Sequence, residues 1–298
     1  MNETLEPEAS SIPEANTVHI TRKHFDLPYA GLSPAQQLDI YWPETGDGPF
    51  PVILSIHGGA FMMGDKRDDQ VKPMLVGLER GYAVVSMNYR MSGEAIFPAL
   101  VQDAKAAVRW VRAHAGEYHF DPKKIAAWGG SAGGYLSLMV AVTAGVPELE
   151  DLSLGNPDQP CNIQAVVDWF GPTDFLKMDE QLAESGLAPT PEGAHNAAHS
   201  PESLILGRQI TEIPELVRAA NPETYLRPGA PPCFIQHGLQ DDTVPYQQSA
   251  NFAAMAARIL GPERVSLELI PGAVHADPYF EDPENVNKVL DFLDRHLQ

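Results

Sequence analysis

Short apolar runs alternate along this chain with longer stretches of helical periodicity. Residues 51–56 (PVILSI) are continuously apolar, the pattern of a strand buried on both faces. Residues 82–87 (YAVVSM), 125–128 (IAAW), 163–169 (IQAVVDW), 233–236 (CFIQ) and 265–270 (VSLELI) read as strands too, and 17–21 and 37–42 are shorter strand-like runs. Between them, Leu100, Val101, Ala104, Ala107, Val108 and Val111 recur at helical spacing and predict a helix over 98–115. Residues 68–80 read as helical up to Gly81, which stops them, and 132–144, 246–260 and 284–297 complete the helices. Strand–helix alternation of this kind predicts an α/β architecture, a mostly parallel central sheet with helices on both faces.

Two segments break the rhythm. Residues 1–16 are acidic and carry two prolines, which predicts a flexible arm ahead of a single domain over 17–298. Residues 171–228 hold two helical pieces and a loop rich in Pro, Ala and His; an irregular insertion of that length is either a lid-like element or a plain surface loop. At 298 residues the chain suits one α/β domain with a small insertion and can bury a large core.

Forty acidic residues against twenty basic ones give a formal charge of −20, which argues against nucleic acid or an anionic membrane surface as partner. The two cysteines, Cys161 and Cys233, make neither a disulfide framework nor a metal site, and Cys233 in its apolar run reads as a buried free thiol. The first fifteen residues lack the basic and apolar regions of a signal peptide, and no apolar run is long enough to span a membrane. A reduced, cytoplasmic setting is therefore the expectation.

Four motifs carry chemistry, each following a predicted strand. GGSAGG at 129–134 sets Ser131 in a G-x-S-x-G frame between a strand and a helix, where a sharp turn lifts a serine oxygen to the top of a sheet. HGGAF at 57–61 follows 51–56, and its glycines let backbone N–H groups approach a carbonyl oxygen that gains negative charge. HGLQDDTVP at 237–245 puts Asp241 and Asp242 at a strand's C-terminal edge, and either has the chemistry to orient a histidine. GAVHADPY at 272–279 puts His275 on the loop past the final strand. The chain order serine, acid, histidine is the one expected for this fold. Of the other histidines, His57 and His237 precede glycine in motifs with other tasks, and His114, His195 and His199 are expected to be solvated. Phe61 and Met62 beside the oxyanion loop, and Trp169 and Phe170 at a strand end, are candidates to line a substrate pocket, the alternative being plain core.

HGGAFMMGDK, DAKAAVRWVRAHA, FDPKKIAAWGGSAGG, VDWFGPTDF, ANPETYL and PPCFIQHGLQDDTVPYQQS together resemble the BD-FAE-like bacterial esterases, near the hormone-sensitive-lipase family, from about residue 35 to the end. The resemblance implies an α/β-hydrolase fold with a small lid and a carboxylesterase that needs no cofactor or metal, acting on a small-molecule ester; some members act on feruloyl or acetyl esters of xylan. It puts the acid at the fifth position of HGxxDxxVP, Asp241, and the oxyanion donors at Gly59, Ala60 and Ala132. Ala60 stands where the glycine-rich motif often has a third glycine, a change that keeps the N–H. Two other readings remain open: a prolyl-oligopeptidase-like peptidase, whose acid motif is similar, and a non-catalytic ligand-binding homologue.

Overall fold

A computed structural model describes residues 12–187 and 193–298, so the expected arm up to residue 11 and part of the 171–228 loop lie outside the described residues. The strands are β1 (Lys23–Pro28), β2 (Gln37–Tyr41), β3 (Phe50–Ile56), β4 (Ala83–Met87), β5 (Phe120–Gly130), β6 (Ala165–Trp169), β7 (Cys233–Gly238) and β8 (Val265–Ile270). They form one sheet in the order β1-β2-β4-β3-β5-β6-β7-β8. β2 runs antiparallel to β1 and β4, and every other pairing is parallel. The helices are α1 (Lys72–Leu75), α2 (Ala99–Ala113), α3 (Ala115–Tyr118), α4 (Ala132–Val142), α5 (Met178–Glu184), α6 (Pro201–Leu206), α7 (Pro214–Ala220), α8 (Gln247–Leu260) and α9 (Pro283–Leu297).

The apolar runs of the central strands divide by the pleat into two cores. Val52, Leu54 and Ile56 of β3, with Ile125 and Ala127 of β5, face the layer holding α2, α4 and α8. Ile53, Ala126 and Trp128 face the opposite layer, where α9 supplies Val286, Val289, Leu290 and Leu293. Every residue of α4 is buried, so that helix is apolar all round. Polar groups buried along α2 are paired: Asp103 is gripped by the Arg90 guanidinium and by Gln36, and Lys105 and Arg109 share Glu150. Both cysteines are free and buried. Among the described residues no helix is long and apolar enough to cross a membrane.

The structure departs from the expectations at four places. Residues 17–21 form a turn, closed by the Ile20 N–H on the Thr17 carbonyl, and the strand begins only at Lys23, where pairing with Tyr41 becomes available. The expected helix over 68–80 is a 3-10 turn, the single turn α1, and a second 3-10 turn ending at left-handed Gly81. Pro73 is the reason: without an N–H it fits only a first helical turn, so the helix restarts around it. The expected arm ends before residue 16. The Ala15 N–H donates to Arg67 O (2.7 Å), Pro13 O accepts from the Asp69 N–H (2.8 Å), and Ala15 is 7% exposed. The described residues of 171–228 form three helices instead of two, and Phe175, Met178, Ile205, Leu206 and Val217 sink into the α2/α4 core.

The parallel arrangement brings the C-terminal ends of β3, β5, β6, β7 and β8 to one edge, and all the sequence motifs lie in the loops that leave it. Beneath that edge, Asp168 of β6 is fully buried; its Oδ1 accepts from the Gly171 N–H (3.0 Å) and among the described residues its Oδ2 has no hydrogen-bond partner. Burial pushes its carboxyl up to about 7. The unfolded chain releases that proton near pH 4 and the folded one only near 7, so this carboxyl's contribution to stability is greatest below about pH 4 and is lost as pH rises towards 7. Asp168→Asn removes the dependence. The melting temperature of the variant relative to the native protein should therefore climb between pH 4 and pH 8, by an amount equivalent to about 2–4 kcal/mol. A difference that stays constant across that range contradicts the assignment.

Candidate active site

The turn between β5 and α4 has room for no side chain on either glycine that flanks the serine. A Cβ on Gly129 would lie 2.5 Å from the Ile56 carbonyl oxygen and one on Gly133 2.0 Å from the same atom. Ser131 itself sits at φ 55°, ψ −122°, a sparsely populated backbone state whose cost is on the order of 1–3 kcal/mol. Its N–H is held by Trp169 O (2.8 Å) and its carbonyl by the Tyr135 N–H (3.0 Å).

From this turn a relay of hydrogen bonds crosses to two other loops. Ser131 Oγ lies 3.0 Å from His275 Nε2, and His275 Nδ1 lies 2.7 Å from Asp241 Oδ2. With its proton on Nδ1, the ring donates to Asp241 and accepts from the serine hydroxyl. Asp241, the carboxylate that meets His275, is 1% exposed, while its neighbour Asp242 is exposed to solvent. Asp241 Oδ1 accepts from the N–H groups of Thr243 (2.9 Å) and Val244 (2.8 Å). Burial opposes ionisation of this carboxyl, but hydrogen bonds from His237 and His275 outweigh it and hold Asp241 well below the usual carboxylate range.

The second histidine on that carboxylate is a contact that motif reading did not foresee. His237 Nε2 is 3.2 Å from Asp241 Oδ2 and 2.8 Å from Val244 O, and its Nδ1 faces Ser249 Oγ at 2.7 Å. Its place before the glycine of HGLQDD was the available signal.

The loop after β3 presents Gly59 at φ 114° and Ala60 at φ 53°. Among the described residues the N–H groups of Gly59, Ala60 and Ala132 donate to no protein group, and Ala132 opens α4, where a helix leaves its first N–H groups unpaired. His57 props this loop, as expected of it. Its Nδ1 meets Gly58 O (2.8 Å), its ring stacks on Tyr89 at 4.6 Å, and burial lowers its basicity. Gln70, which no motif marks, accepts from the Gly58 N–H (2.8 Å) and ties the loop to the turn before α1.

Ser131, His275, Gly59 and Ala60 line a cavity of about 450 Å³ whose remaining wall is largely apolar. Trp169 and Phe170 line it, with Phe170 edge-on to His275 at 4.8 Å and to Phe280 at 4.6 Å. Phe61 and Met62 do not. Phe61 is 1% exposed and packs on Tyr135 and Phe175, because its positive φ (63°) turns it into the core, and Met62 points to solvent. Met63, Met74 and Phe280 take their place. None of the described residues of 171–228 lines the cavity. His195 from that segment is buried instead of solvated: its Nε2 meets Thr243 O (2.8 Å) and its Nδ1 lies 3.1 Å from Glu202.

Known proteins agree with this architecture. The chain is 33% identical over 259 residues to the probable carboxylic ester hydrolase LipM of Mycobacterium tuberculosis H37Rv, a match over 84% of this chain and 55% of that protein. It is 32% identical to esterase LipQ of the same organism over 84% of this chain and 56% of LipQ, so it spans about half the length of these curated relatives. Its structure superposes on a truncated carbohydrate esterase from gut microbiota with a TM-score of 0.80 and 30% identity, over 97% of this chain and 98% of that one. On a bifunctional GH43-CE protein of Bacteroides eggerthii the TM-score is 0.82 at 30% identity, over 93% of this chain and 38% of that one. The fold is that of the α/β hydrolases. With the BD-FAE sequence profile matching residues 38–255, the chain belongs to the BD-FAE family.

Proposed function

We propose that this protein hydrolyses carboxylic esters through a covalent acyl-enzyme, with Ser131 as nucleophile, His275 as general base and acid, and Asp241 as the group that orients and charges against the histidine. The observation that carries the reading is the relay at 3.0 and 2.7 Å, opening into an apolar cavity beside unpaired backbone N–H groups. The names of its relatives, a carboxylic ester hydrolase and a carbohydrate esterase, support the same class.

The chemistry follows from the geometry. His275 Nε2 takes the Ser131 proton as Oγ attacks the ester carbonyl, and Asp241 stabilises the imidazolium. Negative charge grows on the former carbonyl oxygen and is met by the N–H groups of Gly59, Ala60 and Ala132, each such donor contributing about 3 kcal/mol to the transition state. The tetrahedral species collapses, the alcohol leaves with the proton from His275, and water repeats the sequence on the acyl-serine to release the acid. An apolar cavity of about 450 Å³ suits short acyl chains or an aryl group.

Hydrolysis of p-nitrophenyl esters from acetate to palmitate tests the reading. Short chains should turn over, and Ser131→Ala should lower kcat about 10⁴-fold or more. Folded native protein that hydrolyses no ester, or a variant that keeps native turnover, overturns it. An anilide of the same acyl group, run in parallel, should react far more slowly; a faster anilide favours a peptidase.

The two neighbouring aspartates give a second test. Asp241→Asn should cost about 10⁴ in kcat, because the amide favours the wrong histidine tautomer. Asp242→Asn should stay within about threefold of the native rate. Equal losses would argue against Asp241.

A further inference from the structure

The cavity that holds Ser131 and His275 has one wall from an unexpected source, the segment that precedes the first strand. Ile12 lines it alongside Met74. The segment is fixed there. Pro13 O and the Ala15 N–H pair with the backbone of Asp69 and Arg67 (2.8 and 2.7 Å), Glu14 forms an antiparallel bridge with Asp68, and Ala15 belongs to the same apolar cluster as Val71 and Met74. The strand of residues it pairs with runs directly into Gln70, whose side chain ties down the oxyanion loop through Gly58. Ile12 also lines a second recess of about 250 Å³, whose other walls are polar: Glu14, Asp65, Arg67 and Asp68. One half-buried isoleucine therefore borders two spaces, an apolar one that contains the nucleophile and a polar one beyond it.

We propose that Ile12 is a specificity-determining partition, ending the apolar cavity and so setting how long an acyl or alcohol chain the site accepts. The proposal rests on the ester-hydrolase reading and extends it to substrate size. An apolar chain that reaches Ile12 meets a branched side chain held by a pinned backbone. To extend further it must displace that side chain and enter a recess lined by three carboxylates and a guanidinium, where its methylenes lose the apolar contacts that favour binding. With Ile12 reduced, the two spaces join and the length limit moves outward. With it enlarged, the limit moves towards the nucleophile. In apolar pockets a single methylene changes kcat/KM by about tenfold or more, so a change of this size at the wall is readable.

The experiment compares the full chain with Ile12→Gly, Ile12→Val and Ile12→Trp in two substrate series, p-nitrophenyl esters of linear acids from two to ten carbons and acetate esters of linear alcohols of the same lengths. Melting curves establish that each variant is folded; Ile12→Val, the mildest change, keeps the test open if Trp is not tolerated. In at least one series, Ile12→Gly should raise kcat/KM for eight-carbon chains relative to two-carbon chains by about tenfold, with Ile12→Val in the same direction and smaller. Ile12→Trp should lower the four-carbon rate relative to the two-carbon rate by about tenfold. Length profiles that superimpose for all folded variants in both series overturn the proposal while leaving the ester-hydrolase reading intact. Native protein without turnover in either series overturns that reading, and this proposal falls with it.

Discussion

The carbonyl oxygen of Ile56 stands where a Cβ on Gly129 or Gly133 would have to be, 2.5 and 2.0 Å away. This close approach of the end of β3 to the turn between β5 and α4 is the constraint on which the rest of the site depends. It brings the loop after β3, which starts at His57, against the start of α4, so that Gly59 and Ala60 line the same cavity as Ser131. It also forces Ser131 into its strained backbone state. The wholly buried α4 and the strand pairs on either side of β5 hold that state in place. A fold with less buried surface around the turn would relax it, and the serine oxygen would leave the line to His275.

Charge in the site is organised around one carboxylate. Asp241 meets two backbone N–H groups on one oxygen and two histidines near the other. The burial that penalises a bare carboxylate also makes each of these contacts stronger than it would be in water. In the proposed mechanism, a proton moving onto His275 would be met by an acid that is already ionised and held by four hydrogen-bonding groups, so little solvent would have to reorganise for it. His237 is fixed in turn by Val244 O and Ser249, which ties the acid loop to α8 as well as to β7.

The central strands, the longer helices and the four chemical loops were legible in the chain because each is encoded locally: a fully buried strand as an unbroken apolar run, a tight turn as glycines at fixed offsets, a strand-end loop as polar residues after an apolar run. Asp241 and Asp242 could not be separated on residue type, since the difference is which side chain the turn at Thr243 and Val244 buries, and only the family resemblance favoured one. The cavity wall was largely illegible. Phe61 and Met62 are adjacent to the oxyanion loop in sequence but turned away from the cavity in space, while Met74, Phe280 and Ile12 reach it from segments far away along the chain. His195 and the 171–228 segment show the same limit: a stretch rich in Pro, Ala and His reads as surface, and only tertiary contact buries His195 against the acid loop and the apolar residues of α6 and α7 against the core. The broken helix at 69–80 is readable from Pro73, which has no N–H to donate and fits only a first helical turn.

The central claim is that Ser131 is a nucleophile activated by His275 within an intact oxyanion site. Reaction with a fluorophosphonate, followed by peptide mapping by mass spectrometry, tests it without any assumption about the natural ester. The account predicts a single stoichiometric adduct on the peptide carrying Ser131, absent from Ser131→Ala and formed several orders of magnitude more slowly in His275→Ala. Folded protein that stays unlabelled, or that is labelled at another residue, would contradict it.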